Sequence, residues 1–277
     1  MKDSIDFAFL DSGTGGIPYM ILLKEKNPEA KCVYLGDTAN FPYGEKSFKE
    51  ITRCAANAVD LIIKKWNPRT IIIACNTISV TALESLRKEF PCCPIVGTVP
   101  AIKLAAKITK NNRIGFLATN ASINHPYSQK LIKDFASGCK IFKRADPDLI
   151  SFIEKNLFTA TKEQKLNAVA PAVDFFCKNE CDVIILGCTH FTHIADVIAE
   201  AAGKSVTVID SREGVSNQAI KVEQQKIGAK NTENLSEKNP SLPLDCSFFV
   251  TSATINEQEE YKLLCQKLGI PWGGIVS

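Results

Sequence analysis

Short apolar runs rich in β-branched and aromatic residues alternate along the chain with longer stretches of helical period. The runs are Phe7–Leu10, Lys31–Leu35, Thr70–Ala74, Arg113–Leu117, Lys140–Phe142, Val183–Leu186, Ser205–Ile209 and Phe248–Val250, all of strand length. Between them, Ser47–Lys65 sets Ile51, Cys54, Ala55, Ala58, Leu61 and Ile62 on one face. Lys162–Cys177 does the same with Leu166, Val169, Ala170, Val173 and Phe176. Helices of this kind cover a parallel sheet, so the predicted fold class is α/β.

An internal echo divides the chain. Asn67-Pro68-Arg69-Thr70-Ile71-Ile72-Ile73-Ala74-Cys75-Asn76-Thr77 recurs as Glu180-Cys181-Asp182-Val183-Ile184-Ile185-Leu186-Gly187-Cys188-Thr189-His190. Each is a strand, a small residue, a cysteine and a polar turn. A fainter pair is Phe9-Leu10-Asp11-Ser12 with Phe116-Leu117-Ala118-Thr119, in the same order along the chain. Two similar Rossmann-like or flavodoxin-like parallel-sheet domains are therefore expected, related by a pseudo-two-fold axis with the active site between them. Pro91-Cys92-Cys93-Pro94 and Gly97-Thr98-Val99-Pro100 read as the passage between halves, and the tail from about Asp210 as a return to the first. The domains are then 1–97 plus 210–277, and 98–209. The polar stretch Gly228–Pro243 reads as a loop before the last strand.

Composition narrows the class. A chain of 277 residues with 45% hydrophobic content can bury two moderate cores. Thirty-three basic and thirty acidic residues, read as spread without a long run, announce no surface for a polyanion, which argues against nucleic acid as a partner. Met1-Lys2-Asp3 leads straight into an apolar strand, too short and too acidic for a signal segment. No apolar run approaches the roughly 18 residues needed to cross a bilayer. Eleven cysteines without a regular framework suit a reducing compartment, so a cytoplasmic location is expected.

Most of those cysteines read as small buried hydrophobes. Cys75 and Cys188 differ, because each follows a strand by one small residue and precedes a helix. Ligands of open parallel sheets bind beyond the carboxyl ends of the strands, and a sulfur there faces the positive end of a helix dipole, which favours the thiolate. One such thiol from each half suits two-base racemisation, in which one removes the α-proton and the other delivers a proton to the opposite face.

Polar neighbours at other strand ends are Asp11, Ser12 and Asp37. Asp11 can orient the substrate ammonium or assist a thiol; the alternative is a helix N-cap. Gly13-Thr14-Gly15-Gly16-Ile17-Pro18 lacks the third glycine of the dinucleotide fingerprint, and its amides are read as a cradle for a carboxylate. His190, two residues after Cys188, is a candidate proton partner for that thiol, whereas His193 is read as pointing outward and His125 as starting a helix. Cys177, Cys181, Cys188 and His190 form a competing zinc set, but Cys177 is read on the apolar face of a helix and the spacing is poor, so no metal is expected.

Asp11-Ser12-Gly13-x-Gly15-Gly16, Tyr34-x-Gly36-Asp37, Pro42-Tyr43-Gly44, Ala74-Cys75-Asn76-Thr77 and Gly187-Cys188-Thr189-His190 together resemble the signature set of the glutamate racemase family, over most of the chain. Thr251–Gly269 is similar to that family's closing strand and helix. The resemblance implies that Asp11, Ser12, Pro42, Tyr43, Gly44, Asn76, Thr77 and Thr189 line a glutamate site with the two cysteines and His190, joined by Thr119 and Ser122. It also implies a catalytic glutamate in the second half, for which Phe152-Ile153-Glu154 is the nearest match. Departures are Val99 where many relatives are acidic, and Asn120–His125 in place of an Arg-rich version.

The expected activity is cofactor-independent interconversion of L- and D-glutamate, supplying peptidoglycan. Glutamate and a second copy of the chain are the expected partners, with no membrane. Aspartate racemase is the near rival, which His190 disfavours. A non-catalytic amino-acid-binding regulator is the distant one, disfavoured by the intact thiols.

Overall fold

The computed structural model describes residues 5–229 and 246–277. In chain order these form β1 (Phe7–Asp11), α1 (Ile17–Lys26), β2 (Cys32–Gly36), α2 (Phe48–Trp66), β3 (Thr70–Ile73), α3 (Asn76–Glu89), β4 (Ile95–Gly97), α4 (Ile102–Ile108), β5 (Arg113–Ala118), α5 (Asn120–Asn124) and α6 (Pro126–Phe135). They continue through β6 (Lys140–Ala145), α7 (Pro147–Asn156), α8 (Lys162–Lys178), β7 (Val183–Gly187), α9 (Ala195–Ala202), β8 (Thr207–Ile209), α10 (Arg212–Ala229), β9 (Ser247–Val250), α11 (Ile255–Leu268) and β10 (Trp272–Ile275).

The contacts divide this chain into two compact units. Unit 1 takes the described residues up to Tyr43, Ser47–Thr98, and those from Arg212 onward; unit 2 takes Gly44–Lys46 and Val99–Ser211. Among the described residues, unit 1 holds a parallel sheet in the order β10-β9-β2-β1-β3-β4, and unit 2 one in the order β6-β5-β7-β8. Renumbered within each unit, the strands laid down first run 2-1-3-4 in both. That is the doubly wound order, whose switch point lies between strands 1 and 3. The internal echo thus has a topological counterpart: β1 corresponds to β5, and β3 to β7.

The central strands are buried along their whole length, as expected for a sheet covered on both faces. Ile51, Ala55, Val59 and Ile62 of α2 pack into the core of unit 1 with Ala8, Leu10, Ile71 and Ile73. Helix starts are written locally. Ser47 and Glu50, Thr161 and Gln164, and Thr254 and Glu257 each form a reciprocal capping box, typically worth about 1 kcal/mol.

Several expectations need correction. The passage read at 91–100 contains β4, an edge strand of unit 1, and Trp272–Ile275 adds a strand that the hydrophobic pattern did not indicate. Cys177 is exposed, because α8 turns Val169, Ala172, Val173 and Phe176 inward and the residue after Phe176 falls outside that arc. Of the loop expected at Gly228–Pro243, the first two residues belong to α10 and the remainder lies outside the described residues. Among the described residues, no helix is long and apolar enough to cross a membrane.

Candidate active site

The switch point of unit 1 gathers the first group of candidates. Asp11 ends β1, Ser12 follows it, and Cys75 follows β3 by one residue as the N-cap of α3, whose first turn carries Asn76 and Thr77. All five are buried. Strand register sets Leu10 opposite Ile73, so Asp11 and Cys75 both lie at the carboxyl ends of neighbouring strands. The Asp11 carboxylate accepts from the amide (2.5 Å) and hydroxyl (3.2 Å) of Ser12. The cap of α1 is Gly16, so capping is not the role of Asp11. Asn76 is 1% exposed, yet its Oδ1 and Nδ2 have no hydrogen-bond partner. A buried, unpaired amide costs stability, and such groups call for a functional reason.

Two amides of the glycine turn before α1, expected as part of a carboxylate cradle, are bonded within the protein. Tyr34 Oη accepts from Gly16 N and donates to Gly13 O, both at 2.9 Å, while Ile17 N bonds Thr14 O. A Cβ on Gly16 would lie 2.6 Å from that of Ala74, so glycine there lets α1 approach the end of β3 rather than a ligand. Tyr34 thereby holds the turn that follows Asp11 and Ser12. Tyr34→Phe strands two buried backbone groups, and an expected loss of about 2 kcal/mol is measurable as a lower urea midpoint at unchanged slope.

Asp37 is buried and fully engaged. It accepts from Tyr43 Oη (2.5 Å), Asn40 Nδ2 (2.9 and 3.1 Å) and Thr251 Oγ1 (2.8 Å). This hub ties the loop containing Pro42 and Tyr43 to the end of β9. Burial, the Asp37 charge and its hydrogen bond push the Tyr43 hydroxyl far above its usual range, with Cys54 and Cys75 adding to the effect, so Tyr43 keeps its proton and gives it to Asp37.

Unit 2 gathers the second group at its own switch point. Thr119 follows β5 and caps α5, accepting from Ser122 N (3.1 Å) and donating to Ser122 Oγ (3.0 Å). Gly44 belongs to this unit, and a Cβ there would lie 3.0 Å from that of Thr119. Cys188 and Thr189 follow β7. Cys188 Sγ lies 3.7 Å from His190 Nδ1, and His190 Nε2 lies 2.8 Å from Glu154 Oε2 of α7. The His190 and Glu154 side chains are 3% and 7% exposed. Burial alone lowers the affinity of His190 for its second proton, but Cys188 and Glu154 outweigh it and hold the imidazole well above its ordinary pKa. A charged ring here directs Nδ1–H to the sulfur and Nε2–H to the carboxylate.

The two thiols have unequal surroundings. Cys75 caps a regular α-helix, whereas Cys188 caps a 3-10 segment, Thr189–Ile194, so the two matched helix dipoles expected from sequence are not found. Nor do the remaining candidates gather here. Cys181 is buried, its thiol pushed up to about 11 by burial, and Cys177 faces solvent. Among the described residues, no group of three or more His, Cys, Asp or Glu is arranged to hold a metal. His125 caps α6 and accepts from Tyr127 N, while His193 is half-buried with its ring edge-on to Phe158. The sequence-based reading assigned no positioning role to Tyr34, Asn40 or Thr251. A tyrosine in an otherwise apolar buried strand was the one available signal, since a buried phenol needs a partner.

A family model described as Asp/Glu/Hydantoin racemase matches residues 21–216. Glutamate racemase of Treponema pallidum (strain Nichols) is 39% identical over 277 residues, covering 100% of this chain and 98% of the relative. Among solved structures, Escherichia coli glutamate racemase in complex with L-glutamate and the activator UDP-MurNAc-Ala is similar at a TM-score of 0.80 and 24% identity, covering 98% of this chain and 97% of that one. Glutamate racemase isoform RacE1 of Bacillus anthracis is similar at a TM-score of 0.75 and 26% identity, covering 100% and 98%.

Proposed function

The chain belongs to the Asp/Glu/hydantoin racemase family and is a racemase; from that premise we propose that it interconverts L- and D-glutamate without a cofactor, with Cys75 and Cys188 as its two bases. The observation that carries this reading is the chain Cys188–His190–Glu154 beside the strand end of unit 2, together with Cys75 at the corresponding strand end of unit 1. Each unit supplies one thiol with a buried acid/base neighbour, His190 in one and Asp11 in the other.

In this mechanism one thiolate takes the α-proton and the other thiol protonates the opposite face of the α-carbon. His190, steadied by Glu154, relays the proton of Cys188, and Asp11 serves Cys75 or the substrate ammonium. The unpaired amide of Asn76 fits a carboxylate or ammonium of the substrate, aided by Ser12, Thr77 and Thr189. Tyr43 gives its one hydroxyl proton to Asp37, which leaves its oxygen as an acceptor suited to the substrate ammonium, and Pro42, Gly44, Thr119 and Ser122 complete the lining. The role in the cell is supply of D-glutamate for peptidoglycan from the cytoplasm, by a homodimer.

The test is direct. Purified protein without added cofactor, given each enantiomer of glutamate and of aspartate and followed by chiral chromatography, should interconvert the glutamates and act far more slowly on aspartate. Equal rates on the two acids would overturn the substrate assignment; no turnover of either would overturn the activity.

A further inference from the structure

The net charge of +3 conceals an uneven distribution. Residues 99–145 hold nine lysines and arginines against a single acid, Asp134, so this stretch carries +8 and the rest of the chain −5. The fold gathers the stretch into one lobe of unit 2, in which α4 packs on α6, α5 on α6 and β6, and β5 pairs with β6. The charge read as spread along the chain is thus concentrated, in one stretch of sequence and in one lobe of the fold.

The same lobe bears apolar side chains in solvent. Of the seven large hydrophobic residues that are exposed among the described residues, Leu104, Ile108, Tyr127 and Phe135 stand on α4 and α6. Leu104 and Ile108 are one helical turn apart, each preceded by an exposed lysine, Lys103 and Lys107. Lys103 Nζ lies 5.0 Å from the centre of the Phe135 ring, which joins the outer faces of the two helices. Scattered exposed apolar residues need no explanation. Aliphatic and lysine side chains interleaved on two adjoining helices do.

We propose that the α4–α6 face docks on an anionic lipid surface, its lysines at the phosphate headgroups and Leu104, Ile108 and Phe135 at the boundary with the acyl chains. Charge complementarity requires an anionic partner. Nucleic acid is the poorer fit, because Leu104 and Ile108 find nothing apolar to bury against on a phosphate backbone, Lys103 lies over the Phe135 ring, and the lysines lack the bidentate fork of arginine. A second copy meeting this face through its own would set lysines against lysines. The contact is peripheral and involves no spanning segment.

The full chain, sedimented with vesicles of equal parts phosphatidylglycerol and phosphatidylcholine, should pellet with them, should not pellet with phosphatidylcholine alone, and should be released by salt. The pair Lys103→Glu and Lys107→Glu should weaken this binding about tenfold or more. The pair Leu104→Ser and Ile108→Ser should weaken it at constant charge. Both variants change exposed residues outside the catalytic groups and should keep parental turnover and melting temperature. The proposal is overturned by no pelleting with the anionic vesicles, by equal pelleting with both kinds, by retention on duplex DNA as strong as on the vesicles, or by undiminished binding of the Leu104/Ile108 variant.

Discussion

Replacing either Cys75 or Cys188 by alanine is expected to abolish racemisation in both directions, because every turnover needs one thiol to remove a proton and the other to supply one. Each loss should be several orders of magnitude and should not add in the double variant, since the pair acts as a unit. Solvent deuterium sharpens the test. Starting from one enantiomer in deuterated water, early product should carry deuterium at the α-carbon while recovered substrate stays protiated, since the abstracting thiol holds the substrate's own proton. A single base serving both faces labels both pools equally. That result, or near-parental turnover in either single variant, would sink the two-thiol mechanism.

The second large effect belongs to the relay behind Cys188. His190→Asn removes both the Nδ1 contact with the sulfur and the Nε2 contact with Glu154, and turnover is expected to fall about 100-fold or more. The two products are enantiomers, so the equilibrium constant is one and kcat/KM must fall equally for L- and D-glutamate. The asymmetry shows instead in the primary isotope effect, which should rise chiefly in the direction that uses Cys188 as the abstracting base. Turnover within about twofold of the parent in both directions refutes the partnership.

A stability signature accompanies this variant. The folded pKa of His190 is raised, so its ion pair contributes fully below the unfolded value, near 6.5, and that contribution is lost as pH rises through the folded pKa. The stability gap between the parent and His190→Asn should therefore be widest in mild acid and narrow towards alkaline pH, as read by denaturant titration. A gap that widens with pH refutes the charged imidazole.

The strands with continuous apolar runs, β1, β3, β5 and β7, were legible from their sequence because a parallel sheet buried on both faces demands such runs. β4 was hidden by Pro91, Pro94 and Pro100 around three residues, and β10 by its two glycines. At the site, adjacency in sequence suggested that Cys188 and His190 meet, since residues two apart just past a strand end cannot stray far. Glu154 lies 36 residues from His190, and no local pattern encodes that separation. Only the family resemblance singled it out. The Asp37 hub was hidden for the same reason, since Thr251 comes from the far end of the chain.

That far end has a consequence for how the protein is made. β2 in unit 1 finds one neighbour in β1 and the other in β9, where Val33 pairs with Ser247. Unit 2 is completed largely by one unbroken run of chain, so a ribosome can release it for folding early. The sheet of unit 1 waits for residues made after all of unit 2, and closing it joins Val33 to Ser247 across that whole insertion, which makes that step slow. Until then β2 presents a bare hydrogen-bonding edge, the kind of surface on which nascent chains aggregate and chaperones act.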